Sequence, residues 1–507
     1  MMTSPTLSQE APRRPDARTL IDTVLDPGSF VSWDEPPHDP APPGSAYARE
    51  LAEARARTGY DEAVVTGEGR IDGRRVAVAA CEFSFLAGSM GVAAAERLVR
   101  AVERATAERL PLLASPSSGG TRMQEGALAF AQMVKIAAAV TRHKRAGLPY
   151  IVYLRHPTTG GVLASWGSLG HVTAAEPRAL IGFLGPRVFK TLHGYPFPEG
   201  VQVAENLFAH GLVDAVVSAQ DARQVASRAL SVLCAPTRGL DPGPAPDDSA
   251  EPVEAWESIT RSRRDDRPGV RTLLKVAASD VTPLNGTGVG ESDPGLLLAL
   301  ARFGAVPAVV LGQDRRTQRT VAPLGPGALR VARRGMRLAE ELNLPLITVI
   351  DTAGAALSKE AEEGGLAAEI ARSLSDMVLL NAPTVCLILG EGAGGAALAL
   401  LPADRVLAAQ HGWLSPLPPE GASAILHRSV DFSPQVAAAQ RVRSADLLHD
   451  GIVDRIIPEL PDAADEPEEF CRRTARALEH EIALLLDRPP SERLADRLSR
   501  YRRLGVG

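Results

Sequence analysis

Cysteine is scarce in this sequence: Cys81, Cys234, Cys386 and Cys471 are the only four in 507 residues. Four in so long a chain make no disulfide framework, and none lies near enough to another for a metal knuckle. A reducing, cytoplasmic setting is expected. Lysine is nearly as rare, with five against a background rich in arginine, which reflects base composition rather than function. No stretch reaches the roughly 18 uninterrupted apolar residues of a membrane span. The opening MMTSPTLSQEAPRRPDAR lacks the apolar core of a secretory leader. Basic charge is not concentrated, and the net charge of −6 argues against nucleic acid as a partner. No P-loop is present, and LAGSMG (86–91) lacks the first glycine of a nucleophile elbow. His156, His171, His210, His411 and His427 are scattered without paired ligand spacing, so no metal is expected.

What is present is an ordinary globular composition, 45% hydrophobic and 23% charged. At about 100–200 residues per domain the length implies two to four domains. Residues 1–17 are polar and expected to be disordered. A Pro-, Asp- and Ser-rich stretch over 236–268 has no sustained apolar period and reads as a linker. It separates domains over 18–235 and 269–507. Both alternate short β-rich runs with amphipathic stretches, which argues for α/β layers. In the first half, strands are expected over 76–85, 110–118 and 148–154 and helices over 91–110 and 125–147. In the second, strands are expected over 306–312, 344–351 and 382–390 and helices over 328–343 and 366–381.

The two halves also resemble each other. Each has a strand running into a glycine turn, at Gly119-Gly120 and at Asp351-Thr352-Ala353-Gly354. Each follows with a helix, a strand and a second glycine turn, PTTGGVLAS (157–165) and GEGAGGAALA (390–399). Each closes on a related phrase, HGLVDAVV (210–217) and DGIVDRII (450–457). The same order at similar spacing indicates a duplicated α/β domain.

A strand that stops at Gly-Gly and enters a helix exposes fixed backbone N–H donors, and without a Cβ it lets a ligand approach closely. Such a turn suits a developing oxyanion, where losing one donor costs roughly 10²–10³ in rate. Gly160-Gly161 and Gly394-Gly395 are the candidates; tight helix–strand packing is the alternative role for such pairs. The run from Gly390 to Gly395 also fits the dinucleotide fingerprint in form, but the following region is proline-broken, Asp404 comes too early, and the first-half turn does not fit. Glu125, Glu176, Asp351, Glu391 and Glu420 lie near the turns; no two pair as acid and base, and capping is their expected role. Arg122 has two roles open to it, a phosphate or carboxylate partner or a structural ion pair.

At these residues the sequence resembles the acetyl-CoA carboxylase carboxyltransferase family, within the crotonase-like superfamily. FSFLAGSMG (83–91), SGGTRMQEGAL (118–128), GLPYIVYLRHPTTGGVLASWGSLGH (147–171) and AEPRALIGFLGPRV (175–188) are similar to the β subunit. LPLITVIDTAGA (344–355), EGGLAAEIARSL (363–374), GEGAGGAALAL (390–400) and SPLPPEGASAIL (415–426) are similar to the α subunit. The resemblance implies two tandem crotonase-like domains of the β-β-α spiral type, fused in one chain. It implies transfer of a carboxyl group from N1 of carboxybiotin to the α-carbon of an acyl-CoA, acetyl-CoA by default. The active site would lie where the β-like domain of one protomer meets the α-like domain of another, so that the chain would be at least a homodimer. Gly160 and Gly161 would bind the thioester oxygen as the enolate forms. Gly394 and Gly395, with Gly421 and Ala422, would hold the biotin ureido oxygen. Ser89, Met90, Gly119, Gly120 and Arg122 would fall on segments that shape the CoA site. The biotin nitrogen would take the α-proton, which accounts for the missing side-chain base.

The sequence departs from the family in lacking the β subunit's four-cysteine zinc ribbon, in placing Ala353 where proline usually precedes the glycine, and in its text over 356–365. The last two put the α-side pocket, and whether that half is active, in question. None of the lysines lies between methionines, as a biotinylated lysine does, and the remaining length holds no ATP-grasp domain. Biotin is therefore expected on a separate carrier protein, loaded by a biotin carboxylase subunit. Two other readings stand beside this one: a malonyl-thioester or malonate decarboxylase subunit, and a non-catalytic partner subunit.

Overall fold

The computed structural model describes residues 14–505 except residue 248. The disorder expected of residues 1–17 thus falls largely outside the described residues; the chain enters helix Ala17–Val24, capped by Asp16, which accepts from Thr19 N–H.

Two sheets form the frame. The first runs Val31–Ser32, Val64–Ile71, Arg74–Cys81, Leu112–Ser115, Tyr150–Leu154, Val172–Ala175, Ala215–Val216 in spatial and sequence order alike. The second runs Ser279–Leu284, Leu296–Phe303, Val306–Gln313, Leu346–Thr352, Thr384–Ala393, Arg405–Ala409, Arg455–Ile457, with Trp413–Ser415 added alongside Thr384–Ala393. Each sheet opens with three antiparallel strands and continues in parallel pairs. Parallel strands are covered on both faces and read as unbroken apolar runs. Leu112–Ser115, Tyr150–Leu154 and Thr384–Ala393 are accordingly buried along their whole length. The helices bury one stripe each: Ala94, Ala95, Leu98, Val99, Val102 and Ala105 of helix Val92–Ala107 face the core of the first half. Helix Pro326–Leu342 starts with proline at its first turn and stops at Asn343, whose φ of +53° is a left-handed cap.

The strand expected over 76–85 ends at Cys81, because the chain then turns through Leu86 and Ala87 at φ +45° and +56°. Most of the segment 236–268 is irregular, yet it carries helix Ala255–Ser262, whose Ala255 and Ile259 pack on Trp413 of the second half. One of its charges is withdrawn from solvent altogether: Arg267 and Glu459 form a fully buried pair, with bonds of 2.5 and 2.6 Å. Side-chain pairing across 192 residues of sequence leaves no local hydrophobic period to read.

The halves dock through Asp214, which accepts from Asn285 N–H (3.0 Å) and pairs with Arg334 (2.9 Å). Gly288 N–H donates to Gly211 O (2.8 Å), and Lys144 and His171 both reach Glu341, at 3.3 and 3.2 Å.

Candidate functional site

The first glycine turn is built by three short segments. Ser118 and Thr158 form a parallel bridge, and strand Thr158–Thr159 pairs with Ile181–Gly182. The Ser118 hydroxyl folds the Gly119-Gly120 bend: Gly120 N–H donates to Ser118 Oγ (3.0 Å) and Ser118 Oγ donates to Gly120 O (3.3 Å). Gly120 has φ +114° and Gly160 φ +64°, and the two backbones touch. A Cβ on Gly160 would stand 3.3 Å from Gly120 Cα, and one on Gly120 3.7 Å from Gly160 Cα. Glycine is thus required by conformation at both places, and by space as well at Gly160.

The second half repeats this arrangement. Gly354 N–H donates to Thr352 Oγ1 (3.2 Å) and Thr352 Oγ1 donates to Gly354 O (3.1 Å). Gly354 has φ +130° and Gly394 φ +72°. Gly394 and Gly160 each open a short helix, Gly394–Leu398 and Gly160–Leu163. The parallel bridge Met90–Thr121 has its counterpart in Leu324–Ala355. The hydroxyl two residues before the glycine, in SSGG and DTAG, was visible in both phrases, but its role as the hinge of each bend was not read from them.

The expected site residues do not all present free groups. Gly160 N–H donates to Phe183 O (2.8 Å), so it is already committed, whereas the Gly161 N–H makes no hydrogen bond with a described residue. Gly161 packs beside Met133 and Thr121, 3.2 and 3.3 Å from where its Cβ would be. In the second half Ala422 N–H donates to Pro418 O (3.1 Å) inside helix Pro419–His427 and is not available. Gly421, in the first turn of that helix, has open space, with Leu417 Cβ 3.8 Å from a built Cβ. Around Gly394 the nearest such atom is Pro416 O at 3.6 Å, while Gly395 is packed against Ile370. A Cβ at Gly394 or at Gly421 would therefore meet nothing closer than ordinary contact distance.

Arg122 is placed in a buried ion pair. Its guanidinium is 1% exposed and bonded to Glu62 (2.5 and 3.0 Å) and to Ser89 O (2.8 Å), the geometry of a structural ion pair. Met90 is a core residue, fully buried, and acts through its backbone, donating to Gly120 O (2.9 Å). Ser89 Oγ donates to Leu86 O (2.8 Å) and accepts from Arg122 Nε (3.3 Å). These residues hold the Gly119-Gly120 bend from behind. Glu125 caps helix Val92–Ala107 by accepting from Val92 N–H (2.6 Å). Glu176 accepts from His156 N–H (2.8 Å), bracing the entry to PTTGG; its burial pushes the carboxyl above its ordinary range. Asp351 is buried and accepts from Glu391 N–H (3.2 Å); burial raises its pKa against the pull of Arg315 and Arg267. The run from Gly390 therefore continues as strand through Ala393 rather than forming a phosphate loop.

The atoms nearest each of Gly160, Gly161, Gly394 and Gly395 belong to that residue's own half. A cavity of about 880 Å³ opens next to the first turn, between the halves, lined by Leu163 and Phe183 on one side and by Arg337, Leu338 and Glu341 on the other. Exposed apolar side chains follow both turns: Phe183, Val188 and Leu192 in the first half, Leu417, Ile425 and Leu426 in the second. Among the described residues no cluster of three His, Cys, Asp or Glu could hold a metal ion, and no helix is long and apolar enough to cross a membrane.

Residues 14–493 match the carboxyl transferase domain family. The chain is 63% identical over 491 residues to the probable biotin-dependent acyl-coenzyme A carboxylase beta3 subunit of Mycobacterium tuberculosis, covering 96% of this chain and 98% of that protein. It is 37% identical to the acetyl-coenzyme A carboxylase carboxyl transferase subunits beta/alpha of Salinispora arenicola, over 97% and 91% of the two. Among solved structures, the transcarboxylase 12S hexamer core with methylmalonyl-coenzyme A and methylmalonic acid bound superimposes with a TM-score of 0.72 at 23% identity, over 92% of this chain and 89% of that one. That last likeness speaks to the fold alone, two crotonase-like domains in tandem. With the family match and the 63% relative each spanning nearly the whole sequence, the chain belongs to the carboxyl transferase domain family and is a carboxyltransferase.

Proposed function

We propose that the chain carboxylates an acyl-CoA at its α-carbon, with acetyl-CoA as substrate and malonyl-CoA as product. The duplicated glycine turn carries this reading, because the two halves offer matched backbone cradles for the two oxygens that gain charge. In the first half, over 18–235, the Gly161 N–H donates to the thioester oxygen as negative charge develops on it, and its direction is fixed before substrate arrives. Gly120 and Gly160 give the thioester room against bare backbone. In the second half, over 269–507, Gly394, Gly395 and Gly421 hold the ureido oxygen of biotin. When bound, biotin supplies the carboxyl group from N1 and takes the α-proton in exchange. No side chain at either turn is asked to act as base.

The two turns face different oxygens of one reaction and must meet. The nearest neighbours of each lie in its own half, and each is followed by an exposed apolar patch. This supports a homo-oligomer of at least two copies, in which the first half of one protomer covers the second half of its partner. A biotin carboxyl carrier and a biotin carboxylase subunit complete the reaction, and the scarce cysteines favour a cytoplasmic setting. The cavity beside Phe183 supports a second reading of the substrate, an acyl chain longer than acetyl.

Product analysis in the reverse direction tests the proposal. The purified chain, malonyl-CoA and free biotin should yield carboxylated biotin and acetyl-CoA. Parallel runs with methylmalonyl-CoA and an α-carboxylated long-chain acyl-CoA rank the acyl groups. Loss of carbon dioxide from malonyl-CoA at a rate indifferent to biotin would instead identify a decarboxylase. No turnover of any thioester would identify a non-catalytic subunit.

A further inference from the structure

Arg263, at the C-terminal end of helix Ala255–Ser262, reaches two carboxylates at once. Its Nε donates to Glu391 Oε1 (2.9 Å), while Nη1 and Nη2 donate to Glu420 Oε1 (2.5 Å) and Oε2 (3.1 Å). Glu391 stands three residues before Gly394, and Glu420 immediately precedes Gly421. The guanidinium thus ties together the two backbone segments that form the second-half cradle. Its planar fork gives this tie a direction as well as a charge.

The segment that carries Arg263 and the carboxylate of Glu391 each have other anchors, while Glu420 has Arg263 as its cation. The segment that carries Arg263 is fastened by the buried Arg267–Glu459 pair and by Arg315, which donates to Ser262 O and to Arg264 O (3.1 Å). Trp413 Nε1 donates to Ser262 Oγ (2.9 Å). Glu391, 3% exposed, keeps Arg319 as a second partner at 3.0 Å. What Arg263 adds is a fixed spacing between the Gly394-Gly395 turn and the first turn of helix Pro419–His427. Oxyanion cradles are sensitive to such spacing, since a misplacement of about 1 Å can cost roughly 10²-fold.

We propose that Arg263 is a positioning residue which sets the distance between Gly394-Gly395 and Gly421, and so the fit of the cradle to the biotin ureido oxygen; this rests on the reading of the second half given above. The test uses the full-length oligomer. In the malonyl-CoA:biotin reaction, Arg263→Met should raise KM for free biotin about tenfold or more while KM for malonyl-CoA stays unchanged. Without any substrate, amide hydrogen exchange should quicken over 394–398 and 419–424 and stay unchanged over 158–164. Glu420→Gln should do the same, and the double variant should be no worse than either single one, as expected of residues acting through one contact. Arg263→Lys, which keeps the charge but not the fork, should recover only part of the loss. Unchanged biotin KM and exchange in Arg263→Met and Glu420→Gln, with Gly421→Val raising the biotin KM, would overturn the inference alone. Unchanged biotin KM in Gly421→Val as well would overturn the reading of the second half with it. An equal fall in both substrates' kcat/KM together with a lowered melting temperature would reduce Arg263 to a structural role and also overturn the proposal.

Discussion

Asp214 and Asp454 hold the same position in the two halves. Asp214 N–H donates to Thr173 O (2.7 Å) and its Oδ2 accepts from Thr173 N–H (2.8 Å). Asp454 N–H donates to Val406 O (2.7 Å) and its Oδ2 accepts from Val406 N–H (2.7 Å). Each also meets an arginine from the next unit along the chain, Arg334 at 2.9 Å and Arg500 at 2.5 Å. The second half is thus docked on the first by the device that docks the C-terminal helix Pro490–Arg503 on the second.

Asp214→Ala is expected to destabilise strongly. Asp214 is buried and satisfies two backbone donors besides Arg334. Breaking a buried pair from one side typically costs about 3–5 kcal/mol, because the remaining charge is left without its partner. Urea denaturation should show a lower midpoint, and limited proteolysis should cut between the halves sooner than in the parent.

Arg122→Met separates a structural arginine from a CoA-binding one. Arg122 lies against the Phe85 ring, 5.7 Å from its centre, and its partner Glu62 is fully buried. The variant should lose about 3–5 kcal/mol of stability, as should Glu62→Ala. KM for the acyl-CoA, measured on the fraction that remains folded, should move less than twofold. A selective rise in that KM with stability intact would restore Arg122 to the ligand.

Gly160→Ala should abolish most activity and leave the fold. A methyl at φ +64° is strained, and it would stand 3.3 Å from Gly120 Cα, where only backbone can give way. The shift displaces the Gly161 N–H, and loss of one oxyanion donor is worth about 10²–10³ in kcat. Gly161→Ala is the control, since there the neighbours are side-chain atoms, Met133 Cγ at 3.2 Å and Thr121 Oγ1 at 3.3 Å, rather than backbone, and the loss should be smaller. Turnover of malonyl-CoA with free biotin, together with an unchanged circular dichroism spectrum, checks both.

The duplication, the strand–helix alternation and the positions of the glycine turns were legible because each rests on local pattern: apolar runs, helical periodicity and Gly-Gly pairs. Less legible was which N–H at each turn is free. Phe183 takes the Gly160 N–H with a backbone oxygen, and Pro418 takes that of Ala422 in the same way; neither leaves a mark on residue type. The role of 255–267 was hidden for a different reason. Its arginines find Glu391, Glu420 and Glu459 more than a hundred residues away, and a charge whose partner is remote in sequence looks the same as a charge in water. Arg122 had both roles open to it because the carboxylate that decides between them, Glu62, is 60 residues upstream.

Acid should weaken the fold between pH 6.5 and 4, with His143 as a main cause. His143 is fully buried, its Nδ1 3.0 Å from Thr106 Oγ1 and its Nε2 3.3 Å from Pro149 O. Burial pushes its pKa down to about 4 from the ordinary 6.5. The folded state therefore refuses a proton that the unfolded chain accepts. Stability is complete above pH 6.5, falls as pH drops toward 4, and levels off once both states are protonated. At pH 5 this amounts to about 2 kcal/mol. His171 acts in the same direction, its pKa lowered chiefly by burial. Glu341, lowered to about 2 chiefly by the hydrogen bond from His171, extends the loss below pH 4.5, although its exposure to solvent weakens that part. Urea midpoints measured from pH 7 to pH 5 should decline in the parent and decline less in His143→Gln, which keeps a polar group near Thr106 and Pro149 but cannot take a proton. Equal slopes in the two proteins would assign the acid sensitivity to other groups.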